Sequence, residues 1–283
     1  MTAPVFANSA FVDAPERFIL RGGRWRQRAL WVRYGLFLSP RVGPVLIDTG
    51  YTDHSVTAPG RSLGLRLYGR ILRPRLVVDG QPEVFLARYG LRPEDVTRVV
   101  VTHFHVDHVS GLALFPKARF VASGAAWNAL RARSGLANLC HGVFPELLPP
   151  GFADRMDLIE SAGLVPLDFS ARGRGTETLQ GHNLFGDGAM LALPLPGHAE
   201  GHFGLVFPQL SRPLLYGVDA QWLKTALPEP GRPGYPAQLI AADPAAIGRS
   251  TDFVEAFGRA GGDLVLCHDP EPTPHDLVQG NPQ

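Results

Sequence analysis

The side chains best suited to chemistry in this sequence are concentrated in residues 102–108, which read Thr-His-Phe-His-Val-Asp-His. Three imidazoles and one carboxylate fall within six positions, and burying so many polar groups without partners would be costly. A bound cation removes that cost, because neutral imidazole nitrogens and ionised carboxylates are metal ligands. The stretch therefore predicts a metal site, with four candidate ligands: His103, His105, Asp107 and His108.

The element that must position this cluster is the run immediately before it. Residues 98–101 read Arg-Val-Val-Val, and three β-branched residues that end abruptly in polar ones predict a buried strand. The cluster then lies on the loop that leaves the strand, where a rigid sheet can hold side chains outside the core.

Four other apolar runs end in an acid or an imidazole. Residues 45–47 precede Asp48, 190–195 precede the turn that carries His198, 213–218 precede Asp219, and 263–267 precede His268. An aspartate at the end of a strand can simply form a turn, so the residue pattern alone leaves the roles of Asp48 and Asp219 open.

His-x-His-x-Asp-His after a strand resembles the metallo-β-lactamase superfamily. Residues 196–202, Pro-Gly-His-x-x-Gly-His, are similar to its third motif, and the resemblance extends over residues 18–270. It implies an α/β (α+β) fold, the αββα four-layer sandwich, with residues 1–283 forming a single domain.

The resemblance also implies two metal sites. One would use His103, His105 and His198, the other would use Asp107, His108 and His268, and Asp219 would bridge them. Asp48 would support the histidine loop without binding metal. Nitrogen and carboxylate ligands suit two divalent cations, with Zn²⁺ expected first and iron, manganese or cobalt also compatible.

In such a centre, hydroxide formed between the cations attacks a carbonyl or phosphoryl centre, and Asp107 passes a proton to the leaving oxygen. The bridging Asp219 and the His268-Asp269 pair resemble the N-acyl-homoserine lactonase branch, which implies a lactone or carboxylic ester substrate. Trp222 stands where those lactonases commonly carry a tyrosine, three residues after the bridging acid. Trp222 and Phe104 are the candidate substrate contacts.

Because Trp222 stands where those lactonases commonly carry a tyrosine, other hydrolase functions also stay compatible with the sequence. An organophosphate or aryl ester hydrolase and a thioesterase similar to hydroxyacylglutathione hydrolase use the same type of centre. A non-catalytic, metal-binding sensor on this fold is the alternative from a different class, and the loss of metal ligands that would favour it is not seen in this sequence.

Composition limits the classes of partner that are expected for this protein. Of 283 residues, 45 % are hydrophobic and 19 % are charged, and the net charge is +1, so no strong field favours nucleic acid or a membrane surface. Two cysteines, Cys140 and Cys267, make no disulfide framework. Residues 1–15 show no signal peptide, and no apolar run is long enough to span a bilayer, so a cytoplasmic protein with a small-molecule substrate is expected.

Two segments are compatible with more than one role. Residues 51–81, rich in arginine and leucine, fit either an ordinary helix or a flap over the site. Residues 123–187 fit extra helices, a substrate cap or the face of a homodimer. A helix is expected from Asp243 to about Gly258 with a break near Gly248, and Cys267 is expected to point into the core, opposite to His268.

Overall fold

The computed structural model describes residues 3–167, 179–232 and 241–277, and within them the strands form two sheets. The first sheet contains β1 (Val5–Pro15), β2 (Gln27–Ser39), β3 (Gly43–Ile47), β4 (Arg75–Leu76), β5 (Arg98–Val101), β6 (Arg119–Ala122) and β7 (Met156–Leu158), in the order β4-β1-β2-β3-β5-β6-β7. The second contains β8 (Leu164–Leu167), β9 (Leu179–Asn183), β10 (Leu191–Pro194), β11 (Phe203–Phe207), β12 (Leu214–Val218) and β13 (Asp263–Leu266), in the order β13-β12-β11-β10-β9-β8.

The α-helices of the described residues are mostly short, as expected for a chain rich in glycine and proline. They are α1 (Glu16–Ile19), α2 (Asp53–Val56), α3 (Leu63–Leu72), α4 (Pro82–Ala87), α5 (Val106–Val109), α6 (Gly124–Ala132), α7 (Gly135–Cys140) and α8 (Pro244–Arg259). None of them is both long enough and apolar enough to cross a bilayer.

The two sheets pack face to face, and helices cover their outer faces. The rings of Phe6 on β1 and Tyr216 on β12 lie 4.7 Å apart across the interface. On the outer face of the second sheet, Val254 and Phe257 of α8 pack in one cluster with Leu215 of β12. Burial of both faces explains why many strands are apolar along their length instead of alternating. The expected αββα sandwich is confirmed.

The direction of the strands places the candidate residues at one edge of each sheet. β3 runs parallel to its neighbour β5, and β12 runs parallel to β13, so the carboxyl ends of each pair meet at one edge. Those ends carry Asp48 and the 102–108 loop in the first sheet, and Asp219 and His268 in the second. Because the sheets face each other, the two edges meet, and this is where the ligand atoms converge.

Two details of the fold differ from the sequence-based expectations. α8 continues through Gly248 without a break, because Asp243 caps its first turn and the burial of Val254 and Phe257 outweighs the roughly 1 kcal/mol cost of a helical glycine. Residues 123–187 are not only helical: β7 extends the first sheet and β8 and β9 extend the second, while residues 168–178 lie outside the described part.

Candidate metal centre

The backbone is strained at two strand ends, where the chain bends towards the candidate site. Asp48 and Val218 adopt left-handed φ values of 57° and 51°, a region that non-glycine residues rarely occupy and that is a genuine outlier for a β-branched valine. The β12–β13 pairing also shifts register between Tyr216 and Val218. Such strain persists where surrounding structure imposes it, typically at functional sites. Here it aims Asp219 away from its strand and towards the histidines.

The first group of potential ligands contains His103, His105, His198 and Asp219, whose ligand atoms all lie within 4.8 Å of one another. Asp219 Oδ2 is 3.5 Å from His103 Nε2 and 3.3 Å from His198 Nε2. His198 Nε2 is in turn 3.0 Å from His105 Nδ1. The structure thus brings three imidazoles from two separate loops around one carboxylate oxygen.

The second group contains Asp107, His108 and His268, together with Cys267. Asp107 Oδ2 is 3.5 Å from His108 Nε2 and 3.4 Å from His268 Nε2. Asp219 joins this group to the first, because its Oδ2 lies 3.2 Å from His108 Nε2 and its Oδ1 lies 3.5 Å from His268 Nε2. All seven residues expected as ligands are therefore adjacent in space, with Asp219 between the two groups.

Orphaned polar atoms indicate that the pocket fits cations. Among the described residues, His103 Nε2, His108 Nε2 and Asp219 Oδ1 are buried and have no hydrogen-bond partner. Leaving such atoms unpaired costs about 1–3 kcal/mol each, more for charged groups. A divalent cation in each group would satisfy them, and nitrogen and oxygen donors of this kind suit zinc.

Neighbouring groups fix which nitrogen of each imidazole faces the centre. Asp48 accepts hydrogen bonds from the Thr102 backbone N–H (2.9 Å), the Thr102 hydroxyl (2.8 Å) and His108 Nδ1 (2.9 Å). His268 Nδ1 is 2.7 Å from the Trp31 carbonyl oxygen. The rings of His108 and His268 therefore present Nε2 to the centre, with the other nitrogen held by a neighbouring group. Asp48 occupies the supporting position expected from the sequence.

His202 supports Asp219. Its Nδ1 lies 2.7 Å from the Leu195 carbonyl oxygen, and its Nε2 accepts a hydrogen bond from the Asp219 backbone N–H at 3.3 Å. Burial lowers the pKa of His202 to about 3, so the ring is neutral and can accept this bond.

The electrostatics of the two groups differ. Burial lowers the pKa of His103 well below its usual value and that of His105 to about 3, so both rings are neutral at ordinary pH. In the second group burial opposes the charged form of His108, but Asp107, Asp48 and Asp219 outweigh it and raise the pKa of His108 well above its usual value. The metal-free centre thus has a neutral half and a half that holds protons.

Cys267 lies closer to the centre than the sequence predicted. It is fully buried in the main core, as expected, but its thiol belongs to the second group of ligand atoms. β13 ends at Leu266, so strand alternation no longer separates the directions of Cys267 and His268. The only sequence signal was its position next to His268.

The two candidate substrate contacts have different surroundings. Trp222 is half-buried, and its ring centroid lies 6.4 Å from that of His268, at the side of the centre. Phe104 is only 4 % exposed and packs against Trp127 (6.3 Å) and Phe152 (5.8 Å) in the main core. Trp222 thus lies beside a potential ligand and Phe104 lies in the core, and a substrate contact through either residue stays a prediction.

A glycine allows the third histidine to reach the centre. Gly197 has φ 122°, and a Cβ there would lie 2.1 Å from the Ile247 backbone nitrogen. Only glycine permits this close approach between the loop that carries His198 and the first turn of α8.

Comparison with known proteins supports this picture. The family model described as the metallo-beta-lactamase superfamily matches residues 42–212. A probable metallo-hydrolase of Mycobacterium tuberculosis is 31 % identical over 186 residues, which cover 63 % of this chain and 53 % of the relative. An N-acyl homoserine lactonase of Rhizobium johnstonii is 27 % identical over 188 residues, which cover 64 % and 61 %. The chain therefore matches less than two thirds of the length of these relatives.

Solved structures share the fold at lower identity. An N-acyl homoserine lactone hydrolase with the product N-hexanoyl-L-homoserine at its catalytic metal centre superposes with a TM-score of 0.67 at 19 % identity, covering 95 % of both chains. AidC, a dizinc quorum-quenching lactonase, superposes with a TM-score of 0.63 at 14 % identity, covering 95 % of this chain and 88 % of that one. With the family match over most of the described sandwich, these observations show that the chain belongs to the metallo-beta-lactamase superfamily.

Proposed function

We propose that this protein is a dinuclear metal-dependent hydrolase that opens a lactone or cleaves a carboxylic ester. The observation that carries the proposal is the position of Asp219 between the two groups: its Oδ2 faces His103 and His198 of the first and His108 of the second, and its Oδ1 faces His268. One carboxylate between two sets of potential ligands is an arrangement suited to hold two cations a few ångströms apart. We propose zinc as the metal because the donors are imidazole and carboxylate.

The relatives supply the substrate class. Several are named N-acyl homoserine lactonases, including one from Bacillus cereus at 26 % identity over 188 residues. A lactone is an internal ester, so the same centre serves ring opening and ester cleavage. The near-neutral net charge offers no attraction for a polyanion, which favours a small uncharged substrate over nucleic acid.

When two divalent cations are bound, they supply Lewis-acid polarisation of a carbonyl and lower the pKa of a water molecule to near neutrality. Proton transfer would be carried out by residues of the chain. Burial raises the pKa of Asp107, but His108 and His268 outweigh burial and hold it well below its usual value, so this carboxylate is ionised. An ionised carboxylate beside the reacting atoms can accept the proton of the consumed water and pass it to the leaving oxygen.

Trp222 gives a reason to test a second substrate class. The indole flanks the second group and presents an apolar surface with one N–H donor. A flat aromatic leaving group could stack there, so an aryl ester or aryl phosphotriester is the alternative substrate.

Elemental analysis and a substrate panel test the proposal directly. We expect about two metal ions per chain after mild purification, and hydrolysis of N-hexanoyl homoserine lactone that stops with a chelator and returns with zinc. An aryl ester, an aryl phosphotriester and a thioester of glutathione complete the panel. Preference for one of these over the lactone would reassign the substrate and keep the dinuclear chemistry.

A pair of histidine variants provides the control. His105→Ala should lose metal and activity, whereas His182→Ala should keep both, because His182 is half-buried on β9, belongs to neither group of potential ligands and lies 3.4 Å from the Ala162 carbonyl oxygen. A metal-loaded protein that hydrolyses none of the four substrates would contradict the proposal and favour a metal-binding sensor.

A further inference from the structure

Helix α3 carries apolar side chains on its outer face as well as on its inner face. The inner face packs on the protein through the buried Leu65 and through Tyr68, whose ring centroid lies 5.3 Å from that of Phe144. The opposite face of a surface helix is normally polar. On α3 it instead exposes three large apolar side chains at four-residue spacing, here called the apolar stripe: Leu63 (80 % exposed), Leu67 (56 %) and Ile71 (70 %).

Arginines border the apolar stripe on one side. Arg66 and Arg70 lie three residues after the first and second members of the stripe, so they follow the same edge of the helix. Both are exposed, and so is Arg73, which ends the helix. Within the part of the chain that the structure describes, none of these three arginines forms an ion pair. Their charges are therefore available to a partner.

The charge of the chain is distributed unevenly around this helix. Residues 54–78 contain five arginines and neither aspartate nor glutamate, whereas the net charge of the whole sequence is +1. The rest of the chain therefore carries a net charge of −4. Of the five arginines, Arg75 is paired with Asp13. The small net charge, which gave no reason to expect a membrane, thus conceals a cationic surface around α3.

The helix is already formed and held on the protein. Ser62 caps its amino end and donates its hydroxyl to the carboxylate of Glu146 at 2.8 Å. Beside this end, an added Cβ at Gly64 would lie 3.5 Å from the side chain of Leu139 on α7. Leu136, one turn earlier on α7, is also exposed. A partner can therefore dock on the apolar stripe without the cost of ordering the helix.

We propose that the outer face of α3 docks on the surface of an anionic lipid bilayer. The apolar stripe enters the boundary between headgroups and acyl chains, and the helix lies in the plane of the surface. Arg66, Arg70 and Arg73 reach the lipid phosphates, because long cationic side chains bend towards a polar layer while their methylenes stay in apolar surroundings. This inference concerns a second surface of the protein and does not depend on the proposed function.

Charge distinguishes a lipid surface from a second copy of this chain as the partner. In a two-fold dimer the same patch lies on both sides of the interface, so α3 would face α3. The arginines of the two copies would then meet, and the juxtaposition of like charges opposes association. A bilayer with anionic lipids offers the opposite charge, and its acyl chains accept apolar side chains without a shaped pocket.

Sedimentation with lipid vesicles tests the proposal on the full-length protein. We expect binding to phosphatidylcholine vesicles that contain about 30 % phosphatidylserine, little binding to phosphatidylcholine alone, and weaker binding as salt is raised. Each arginine near an anionic surface contributes about fivefold in affinity, so Arg66→Gln combined with Arg70→Gln should weaken binding about 25-fold. Arg88→Gln combined with Arg92→Gln removes the same charge from exposed positions at the α4 side and is the matched control, which should bind almost as well as the native protein.

The apolar stripe has its own matched pair of variants. Leu67→Gln keeps a good helix former on α3 and should weaken vesicle binding about tenfold. Leu164→Gln, at a leucine that is 54 % exposed on β8, should leave it unchanged. Leu67→Trp reports on the depth of docking: with vesicles, its added fluorescence should shift to the blue and be quenched by lipids brominated in their acyl chains. The fluorescence of Leu164→Trp should show neither change.

Several outcomes would overturn the inference. Absence of binding to anionic vesicles at low salt, or equal binding to vesicles with and without phosphatidylserine, would contradict the complementarity of charge. Native-like binding by both Leu67→Gln and the variant of Arg66 and Arg70 would place any lipid-binding surface elsewhere. A native dimer that ignores vesicles and becomes monomeric in Leu67→Gln would assign the stripe to a second copy. None of these measurements needs hydrolysis, so failure of the proposed function would leave the docking result unchanged.

Discussion

The carboxylate of Asp48 accepts a hydrogen bond from His108 Nδ1 at 2.9 Å, with both side chains fully buried. The same carboxylate holds the backbone N–H and hydroxyl of Thr102, at the start of the histidine loop. One side chain at the end of β3 therefore fixes both the loop that carries the ligands and the ring that points Nε2 at Asp219, 3.2 Å away.

Asp48→Asn should weaken metal binding without removing a ligand. The neutral amide cannot match the charge-assisted bond to His108, so the ring loses its preferred orientation, and affinity for the second cation should fall about 10- to 100-fold. Competition with a chromophoric chelator would measure this. Asp154→Asn, at an exposed position on the surface, is the control, and an equal affinity in the two variants would remove the orienting role of Asp48.

Asp219→Asn should have a larger effect than Asp48→Asn. Asp219 is 2 % exposed and faces both groups, so loss of its charge removes the shared anion that balances two cations. We expect about one metal per chain, and a loss of hydrolysis beyond the about 10- to 100-fold typical of groups that only orient a ligand. Two tightly bound metals and full activity in this variant would show that Asp219 does not bridge.

Metal binding should release protons unequally from the two groups. His103 and His105 are neutral in the metal-free protein, because burial lowers the pKa of both. The pKa of His108 is raised, and so is that of His268, where Cys267 and Asp219 outweigh the opposing effect of burial. These two rings must lose their protons before Nε2 can bind a cation, so filling the second group should release about two protons.

Titration of the metal-free protein with zinc in weakly buffered solution containing a pH indicator measures this release. The affinity of the second group should rise more steeply with pH than that of the first, because raised pKa values keep its rings protonated to higher pH. If the first and the second equivalent of zinc released the same number of protons, the expected difference in charge between the two groups would be contradicted.

Arg33→Met should destabilise the fold. The guanidinium is fully buried, bonds the carboxylate of Asp276 at 2.7 Å and donates to the Glu271 carbonyl at 2.8 Å. Its removal leaves the Asp276 carboxylate without its partner, at a cost of about 3–5 kcal/mol. Chemical denaturation measures the free energy of unfolding. Arg75→Met, which breaks an exposed pair with Asp13, should change little.

The sequence alone determined the family and the fold, and it predicted the seven potential ligands. Each potential ligand lies near the end of an apolar strand, and those strands could be recognised from their apolar runs. The 102–108 cluster could be recognised from the sequence because its residues are adjacent in the chain. The family resemblance was needed to identify His198, Asp219 and His268, since an isolated acid or imidazole after a strand has several ordinary explanations.

Contacts between distant segments were decided only by the tertiary structure. Tyr68 lies 39 positions from Asp107 in the numbering and was one apolar residue among several in an arginine-rich stretch. The contacts of its hydroxyl with Gly142 and of its ring with Phe144 depend on the docking of α3 against the 142–144 segment. The inward turn of Cys267 depends on where β13 ends, and the burial of Phe104 depends on packing against Trp127. Sequence periodicity describes which face of an element is apolar, whereas the partner of that face is set by packing across the whole chain.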